Sequence, residues 1–194
     1  TKINTRQGCE RIIRAAFEFA AKFGRKKVTC VHKANVVRAT DGLFLEIFKE
    51  VAKEFPGIAT DDANIDAMCM WLLKNPFNYD VLVAPNLYGD IISDLCAQMV
   101  GGLGFGCSGN IGEKLAVFEP THGSAPKYAG LYKTNPIATI LAAKMMLDWL
   151  GEKAMAVRLE AAVAGVIAEG AVRTYDMGGN ASTLDMARAI ADKL

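Results

Sequence analysis

The chain has 194 residues, of which 52% are apolar and 22% charged. That balance fits a globular protein of one to two domains and excludes a disordered tail or a disulfide-stapled miniature. Lys plus Arg is 22 against 21 for Asp plus Glu, a formal charge of +1, which supplies no field to draw the chain to nucleic acid or an anionic membrane. The five cysteines (Cys9, Cys30, Cys69, Cys96, Cys107) are scattered and form no C-x-x-C pair, so they read as reduced thiols of a cytoplasmic protein. Two histidines leave no His-rich metal site. The first residues carry charges throughout, unlike a secretory signal, and the most apolar stretch, 137–150, is interrupted by Lys144 and Asp148 and falls short of the roughly twenty residues a membrane span needs.

In chain order, Ile12, Ile13, Ala16, Phe17 and Ala20 recur at helical spacing and predict a helix over 7–23, with Gly24 at the C-cap. A short β-rich run follows at 28–32. A second helix reads from 41 to 55 on Leu43, Phe44, Ile47, Phe48 and Val51, and a third from 62 to 74 on Ile65, Cys69, Leu72 and Leu73, stopped by Asn75-Pro76. Then come a strand at 80–84 and a helix at 87–100. Alternating strands and helices indicate an α/β layer architecture. Six glycines between 101 and 112 mark a change of lobe near Val100. After it a strand at 115–118 and helices at 136–150, 152–170 and 182–194 complete the chain. Three helices over one evident strand leave that second lobe short of sheet, which implies packing on another chain or on residues before Thr1.

Gly104-Phe105-Gly106-Cys107-Ser108-Gly109 matches G-x-G-x-x-G in letters only. The dinucleotide fingerprint needs a strand before it and a helix opening at its third glycine, whereas here a helix precedes and a strand follows, so a flexible connection between lobes is the better reading. Asn86-Leu87-Tyr88-Gly89-Asp90-Ile91-Ile92-Ser93-Asp94 begins just beyond the carboxyl end of a strand, the usual place for a site in an open α/β sheet. Asp90 and Asp94 fall on one helical face, where two like charges repel by a few tenths of a kcal/mol, about 0.2–0.5. A hard divalent cation reverses that sign, and a solvated acidic face is the bland alternative. Asp66 stands among apolar helical neighbours and predicts a carboxylate at the edge of a buried face, needing a metal or else a Lys or Arg partner. Lys33 ends another strand, where a lysine can exchange protons with a substrate, although most lysines are solvated surface charges. His32 reads as a packed core histidine. The small-residue run Glu119-Pro120-Thr121-His122-Gly123-Ser124-Ala125-Pro126 suits either a structural turn or close backbone approach to a ligand.

With VHKAN, NLYGDIISD, GGLGFGCSGNIG, FEPTHGSAP and RTYDMGG in this order, the chain resembles the metal-dependent β-decarboxylating dehydrogenases, the isocitrate and 3-isopropylmalate dehydrogenase family. The likeness covers nearly all of the chain but only the C-terminal half or so of a family polypeptide, and VHKANVVRATDGLF is most similar to the isocitrate branch. The resemblance implies an α/β fold, not a classical Rossmann domain. It comprises a small substrate, metal and dimerisation lobe over 1–100 and the C-terminal part of a larger cofactor-binding lobe over 101–194. It implies oxidation of isocitrate by hydride transfer to a nicotinamide cofactor, then loss of CO₂ to give 2-oxoglutarate. Lys33 matches the catalytic, proton-handling lysine, Asn35 a residue near substrate and nicotinamide, and Asp66, Asp90 and Asp94 the aspartates that bind Mg²⁺ or Mn²⁺. The resemblance further implies that Asp66 and Lys33 are contributed across the interface of a homodimer. The resemblance places Glu119, His122, Gly123, Ala125 and Asn135 around the cofactor's adenosine. Lys127, Tyr128 and Tyr175 match residues that favour NADP, while Gly179, where some NADP enzymes carry arginine, and the run 176–179 point to NAD; the balance leans to NADP. The family's substrate-gripping arginines lie upstream of Thr1, so the 194-residue chain by itself is expected to be inactive. The alternatives are a dehydrogenase for a related 2-hydroxy acid, such as 3-isopropylmalate or homoisocitrate, and a non-catalytic dimerisation or regulatory chain.

Overall fold

A computed structural model describes residues 1–194, which divide into two compact units, Thr1–Leu95 and Cys96–Leu194. The first unit opens with helix α1 (Arg6–Lys22), whose N-cap Thr5 accepts a hydrogen bond from the Gly8 amide. It continues through strand β1 (Lys27–His32), helix α2 (Arg38–Ala52), strand β2 (Ala59–Asn64), helix α3 (Ile65–Lys74) and strand β3 (Val81–Val83) into helix α4 (Asn86–Met99). The sheet is wholly parallel in the order β2-β1-β3. β1 is central, and five of its six residues are buried, as a parallel strand covered on both faces requires. The connection from β1 to β2 runs one way and that from β2 to β3 returns past β1. Right-handed crossovers then place α2 and α3 on opposite faces. Accordingly α1 and α2 share one core (Ile13, Phe17, Phe44, Ile47, Phe48 with Val28 and Cys30 of β1), which omits the buried residues of α3, Met68 and Leu72. Phe17 is its centre, stacked on Phe55 with ring centroids 5.1 Å apart and tilted against Phe48 at 5.5 Å.

The structure corrects the sequence reading at β2. Residues 59–64 were expected to run into a helix starting at 62, yet they pair with β1 over six positions from Lys27↔Ala59 to His32↔Asn64. β2 is an edge strand with a polar, mostly exposed sequence, so it offers no apolar alternation, and its aspartates read as helix-start signals. The ladder is tied by side chains: Lys27 Nζ donates to Asp61 at 3.0 Å and His32 Nε2 meets Asp62 at 3.0 Å. Helix α2 lies three residues earlier at both ends than its periodicity predicts.

In the second unit strand β4 (Cys107–Ile111) pairs antiparallel with strand β5 (Ala116–Pro120). The expected flexible glycine connection is therefore half strand, and this unit holds a hairpin where a single strand was expected. Helix α5 (Ile137–Leu150) packs on the hairpin and on helix α6 (Lys153–Glu169), which meets helix α7 (Thr183–Ala191). Ile137, Ala162, Val163, Val166, Met186 and Ile190 form the core. Helices α5 and α6 end on Gly151 and Gly170, both left-handed, and α7 opens with a Ser182–Asp185 capping box. The structure shows no disulfide, and no helix is long and apolar enough to cross a membrane.

Candidate active site

In the first unit the strand order reverses between β1 and β3, and the crevice outside their carboxyl ends is where open α/β sheets bind ligands. The chain leaves β1 there as Lys33-Ala34-Asn35 and leaves β3 there as α4. The turn after β1 is fixed from several directions. The Val36 and Val37 amides donate to the Lys33 carbonyl at 3.0 and 2.7 Å, and the Ala34 amide donates to His32 Nδ1 at 3.0 Å. Nδ1 is therefore the unprotonated nitrogen, leaving Nε2–H to donate to Asp62. His32 is buried, as expected for a core histidine, but its role is to brace the lysine turn.

Lys33 Nζ donates to Asp66 Oδ1 at 2.5 Å. The Lys33 side chain is 23% exposed and that of Asp66 68%, which corrects the expectation of a carboxylate at a buried edge: α3 turns Met68 and Leu72 inward and leaves Asp66, Met70 and Leu73 outside. The Lys33 ammonium, and after it the Asp66 and Ala67 amides at the start of α3, hold the Asp66 carboxyl below the usual range. Asn35 is exposed. Asp90 and Asp94 are exposed one turn apart on α4, and neither forms an ion pair. The structure thus brings Asp66 to Lys33 but groups no three acidic, His or Cys side chains into a metal cage within one chain.

A residue the sequence reading passed over lies beneath this turn. Asp41 has no exposed surface, and its carboxylate is ion-paired to Lys2 Nζ while accepting from the Lys33 amide at 2.9 Å, from Thr40 Oγ1 at 3.2 Å and from the Tyr88 hydroxyl. Burial alone raises its pKa, but these donors, Lys2 first, outweigh burial and hold it below the ordinary value. The available signal was its register: Asp41, Phe44, Phe48 and Val51 form one buried stripe of α2.

In the second unit the residues expected around a cofactor lie on β5 and the loops that follow. Glu119 accepts from Asn110 Nδ2 at 2.9 Å across the hairpin. His122 Nδ1 donates to the Gly123 carbonyl at 2.9 Å, leaving Nε2 as an acceptor. Ala125 sits at φ 43°, a strained value for a residue with a Cβ, immediately before Pro126. Asn135 is buried with both ends of its amide engaged: Oδ1 accepts from the Ile137 amide and Nδ2 donates to Asp176, each at 3.0 Å. Gly104 backs onto this pair, and a Cβ there would stand 2.6 Å from Asp176 Oδ2. The Tyr175 hydroxyl donates to that of Tyr128 at 3.2 Å, and this bond, then Lys127, lowers the Tyr128 pKa. Lys127 lies over the Tyr128 ring, and Lys133, which the sequence reading did not single out, lies 4.9 Å from the centroid of Tyr175. At Gly179 a Cβ would collide with the Arg173 carbonyl oxygen.

Residues 1–190 match the family profile described as isocitrate/isopropylmalate dehydrogenase. The chain is 50% identical over 194 residues to isocitrate dehydrogenase (NAD) catalytic subunit 6, mitochondrial, of Arabidopsis thaliana, and 49% identical over 193 residues to 3-isopropylmalate dehydrogenase of Archaeoglobus fulgidus. Both comparisons take in the whole of this chain but only 52% and 59% of those relatives, so it spans little more than half their length. The crystal structure of isocitrate dehydrogenase from Methylococcus capsulatus superposes with a TM-score of 0.97 at 48% identity, over all of this chain and 57% of that one.

Proposed function

The chain belongs to the isocitrate/isopropylmalate dehydrogenase family, and from that premise we propose that it carries the proton-handling and metal-binding part of an NAD(P)-dependent oxidative decarboxylase of isocitrate or a closely related 2-hydroxy acid. The observation that carries this reading is the Lys33–Asp66 pair at the mouth of β1, beside the strand-order reversal from which α4 brings Asp90 and Asp94. Lys33 Nζ is partly exposed and donates a hydrogen bond to a carboxylate, which suits it to hold or pass a proton at a substrate hydroxyl. Asn35 offers an unencumbered amide two residues on. Asp90 and Asp94 fit a hard divalent ion: two unpaired carboxylates one turn apart supply oxygen ligands and relieve their mutual repulsion on binding. Mg²⁺ or Mn²⁺ held there would act as a Lewis acid on the substrate's oxygens.

One chain does not complete that site, since Asp66 is engaged by Lys33 and no third carboxylate joins Asp90 and Asp94. A homodimer in which Asp66 and Lys33 face the other subunit's Asp90 and Asp94 supplies what is missing. The surface supports it. Met70, Leu73 and the wholly exposed Phe77 follow on and after α3, and Leu87 and Ile91 are exposed on α4. Helix α2 turns Phe44, Ile47, Phe48 and Val51 into the chain's own core.

For the cofactor, the two tyrosine hydroxyls flanked by Lys127 and Lys133 suit a 2′-phosphate, which they would meet with charge-assisted hydrogen bonds. NADP is the cofactor this geometry supports, while the 50% identical plant relative is named for NAD. The Archaeoglobus relative gives 3-isopropylmalate as the second substrate reading. The test is a matrix: the complete polypeptide with isocitrate, homoisocitrate and 3-isopropylmalate, each with NAD and NADP, with Mn²⁺ and with chelator. Mn²⁺-dependent, NADP-preferring turnover of isocitrate is expected. Higher kcat/KM on 3-isopropylmalate, a preference for NAD, or full turnover with chelator each overturns the corresponding part.

A further inference from the structure

The histidine beneath the lysine turn is tied to more than the turn. His32 ends β1 with a buried side chain, on the face of the strand that carries Val28 and Cys30 into the core, where an apolar residue would pack with no polar group to desolvate. Both ring nitrogens are used. Nδ1 accepts from the amide of Ala34, the residue after Lys33, and Nε2 donates to Asp62 on β2, each at 3.0 Å. β2 passes directly into α3, Asn64 ending one and Ile65 beginning the other, so Asp62 stands one helical turn ahead of Asp66 on continuous backbone. The N-cap Asn64 gives α3 no side-chain cap bond, and its Oδ1 is buried without a partner, so the start of α3 takes its position from the strand ahead of it. The Asp62 side chain is 43% exposed, and a polar contact on such an edge adds little to stability. What the contact does is fix the ring, and through the ring it holds the segment bearing Lys33 to the segment bearing Asp66.

We propose that Asp62 is a positioning residue that, through His32, sets the Lys33 turn against the start of α3, without touching substrate or cofactor. The proposal rests on the functional reading of Lys33 and on the dimer arrangement above, in which Lys33 and Asp66 enter one site from the same chain, so that a bond within that chain can place one relative to the other. Without an acceptor at 62 the imidazole is free to turn, or to carry its proton on Nδ1, which then no longer accepts from Ala34. The lysine turn loses its side-chain tie and shifts by fractions of an ångström from Asp66. A second cross-strand pair, Lys27 with Asp61 at 3.0 Å, joins the same two strands at the other end of β1 and touches no part of the turn, which makes it the control.

The experiment compares Asp62→Ala, His32→Asn, the two combined, Lys27→Met and Lys33→Met in the complete polypeptide, with isocitrate or whichever acid of the matrix above it turns over fastest. For Asp62→Ala kcat is expected to fall on the order of 10- to 30-fold, the scale of a slightly misplaced catalytic group, while KM for the organic acid moves less than about threefold. His32→Asn keeps an acceptor for the Ala34 amide but is too short to reach Asp62, so its kcat should fall by roughly the same factor, and it decides the matter if Asp62→Ala does not fold. The double variant should fall no further than the larger single loss, since both substitutions remove one connection. Lys27→Met should keep kcat within about twofold of the parent, because an exposed pair contributes little. Unchanged kcat in a folded Asp62→Ala, a loss carried by KM alone, an equal loss in Lys27→Met, or losses that multiply in the double variant each overturns the positioning role. If Lys33→Met keeps full turnover, the functional reading itself fails and the proposal falls with it. If Lys33→Met is inactive while Asp62→Ala matches the parent, only the positioning role falls.

Discussion

The two units hold their candidate functional groups by different means. In the first, charge is set against charge in a partly dry setting: Lys33 on Asp66, His32 on Asp62, and Asp41 under four donors, all hung from the end of one buried parallel strand. In the second, position comes from the backbone: a hairpin, a left-handed Ala125 ahead of Pro126, and glycines where a Cβ has no room, with the tyrosine–lysine group exposed on top. The first arrangement suits groups that must exchange protons, whose states depend on their neighbours. The second suits recognition of a ligand whose shape is fixed.

The same contrast runs through the cores, one aromatic and one aliphatic, and Trp71 on α3 and Trp149 on α5 give each unit its own fluorescence reporter. Phe17→Ala, which removes the ring between Phe48 and Phe55, should cost the first unit about 3–5 kcal/mol, and Met186→Ala the second about 2–5 kcal/mol. Urea unfolding followed separately at the two tryptophans should show each variant lowering its own midpoint. Joint movement of both signals by either substitution would mean that the units unfold as one. A smaller effect sharpens the difference on the backbone side: Gly104→Ala should destabilise the second unit by about 1–3 kcal/mol, because the new methyl meets Asp176 and Asn135. A neutral result there would show that the loop yields, and that glycine is not what holds it.

The smallest effect concerns pH and only the first unit. Asp41 is held below its ordinary value of about 4, despite burial, by its hydrogen bonds. A carboxyl depressed on folding stabilises the fold above its unfolded value, and that contribution disappears as pH falls through the folded one. Lowering the pH from about 5 to about 3 should therefore reduce the Trp71 urea midpoint, and less so in Asp41→Asn. Equal slopes in parent and variant would remove Asp41 from the acid response.

Helix α1 was legible because it turns Ile13, Phe17 and Ala20 into the core of its unit and ends just before Gly24. Strand β1 was legible from its β-branched run, and the Lys33 and Asp90 segments from their place after strands. β2 was not, because an edge strand draws its stability from backbone pairing and needs no apolar pattern; β4 was hidden because glycine and serine at 108–109 read as loop. Asp41 was illegible for the opposite reason. An acid in the first turn of a helix is ordinarily explained by the helix dipole and solvent, and only the three-dimensional meeting of Lys2, Lys33 and Tyr88 gives it another role.

Gly179 bears on the history open to the second unit. Since the Arg173 carbonyl occupies the space a Cβ would take, no side chain of any kind enters at 179 until the chain around 173 has moved. An arginine there, of the sort that would add a cation for a phosphate, is thus the second of two changes and never the first. A lineage descending from this sequence would have to acquire the loop rearrangement before the charge, passing through a variant that gains nothing in recognition. Changes of charge at the exposed positions 127 and 133 meet no such order, and on the cofactor reading proposed above they are the shorter road to a change of cofactor choice.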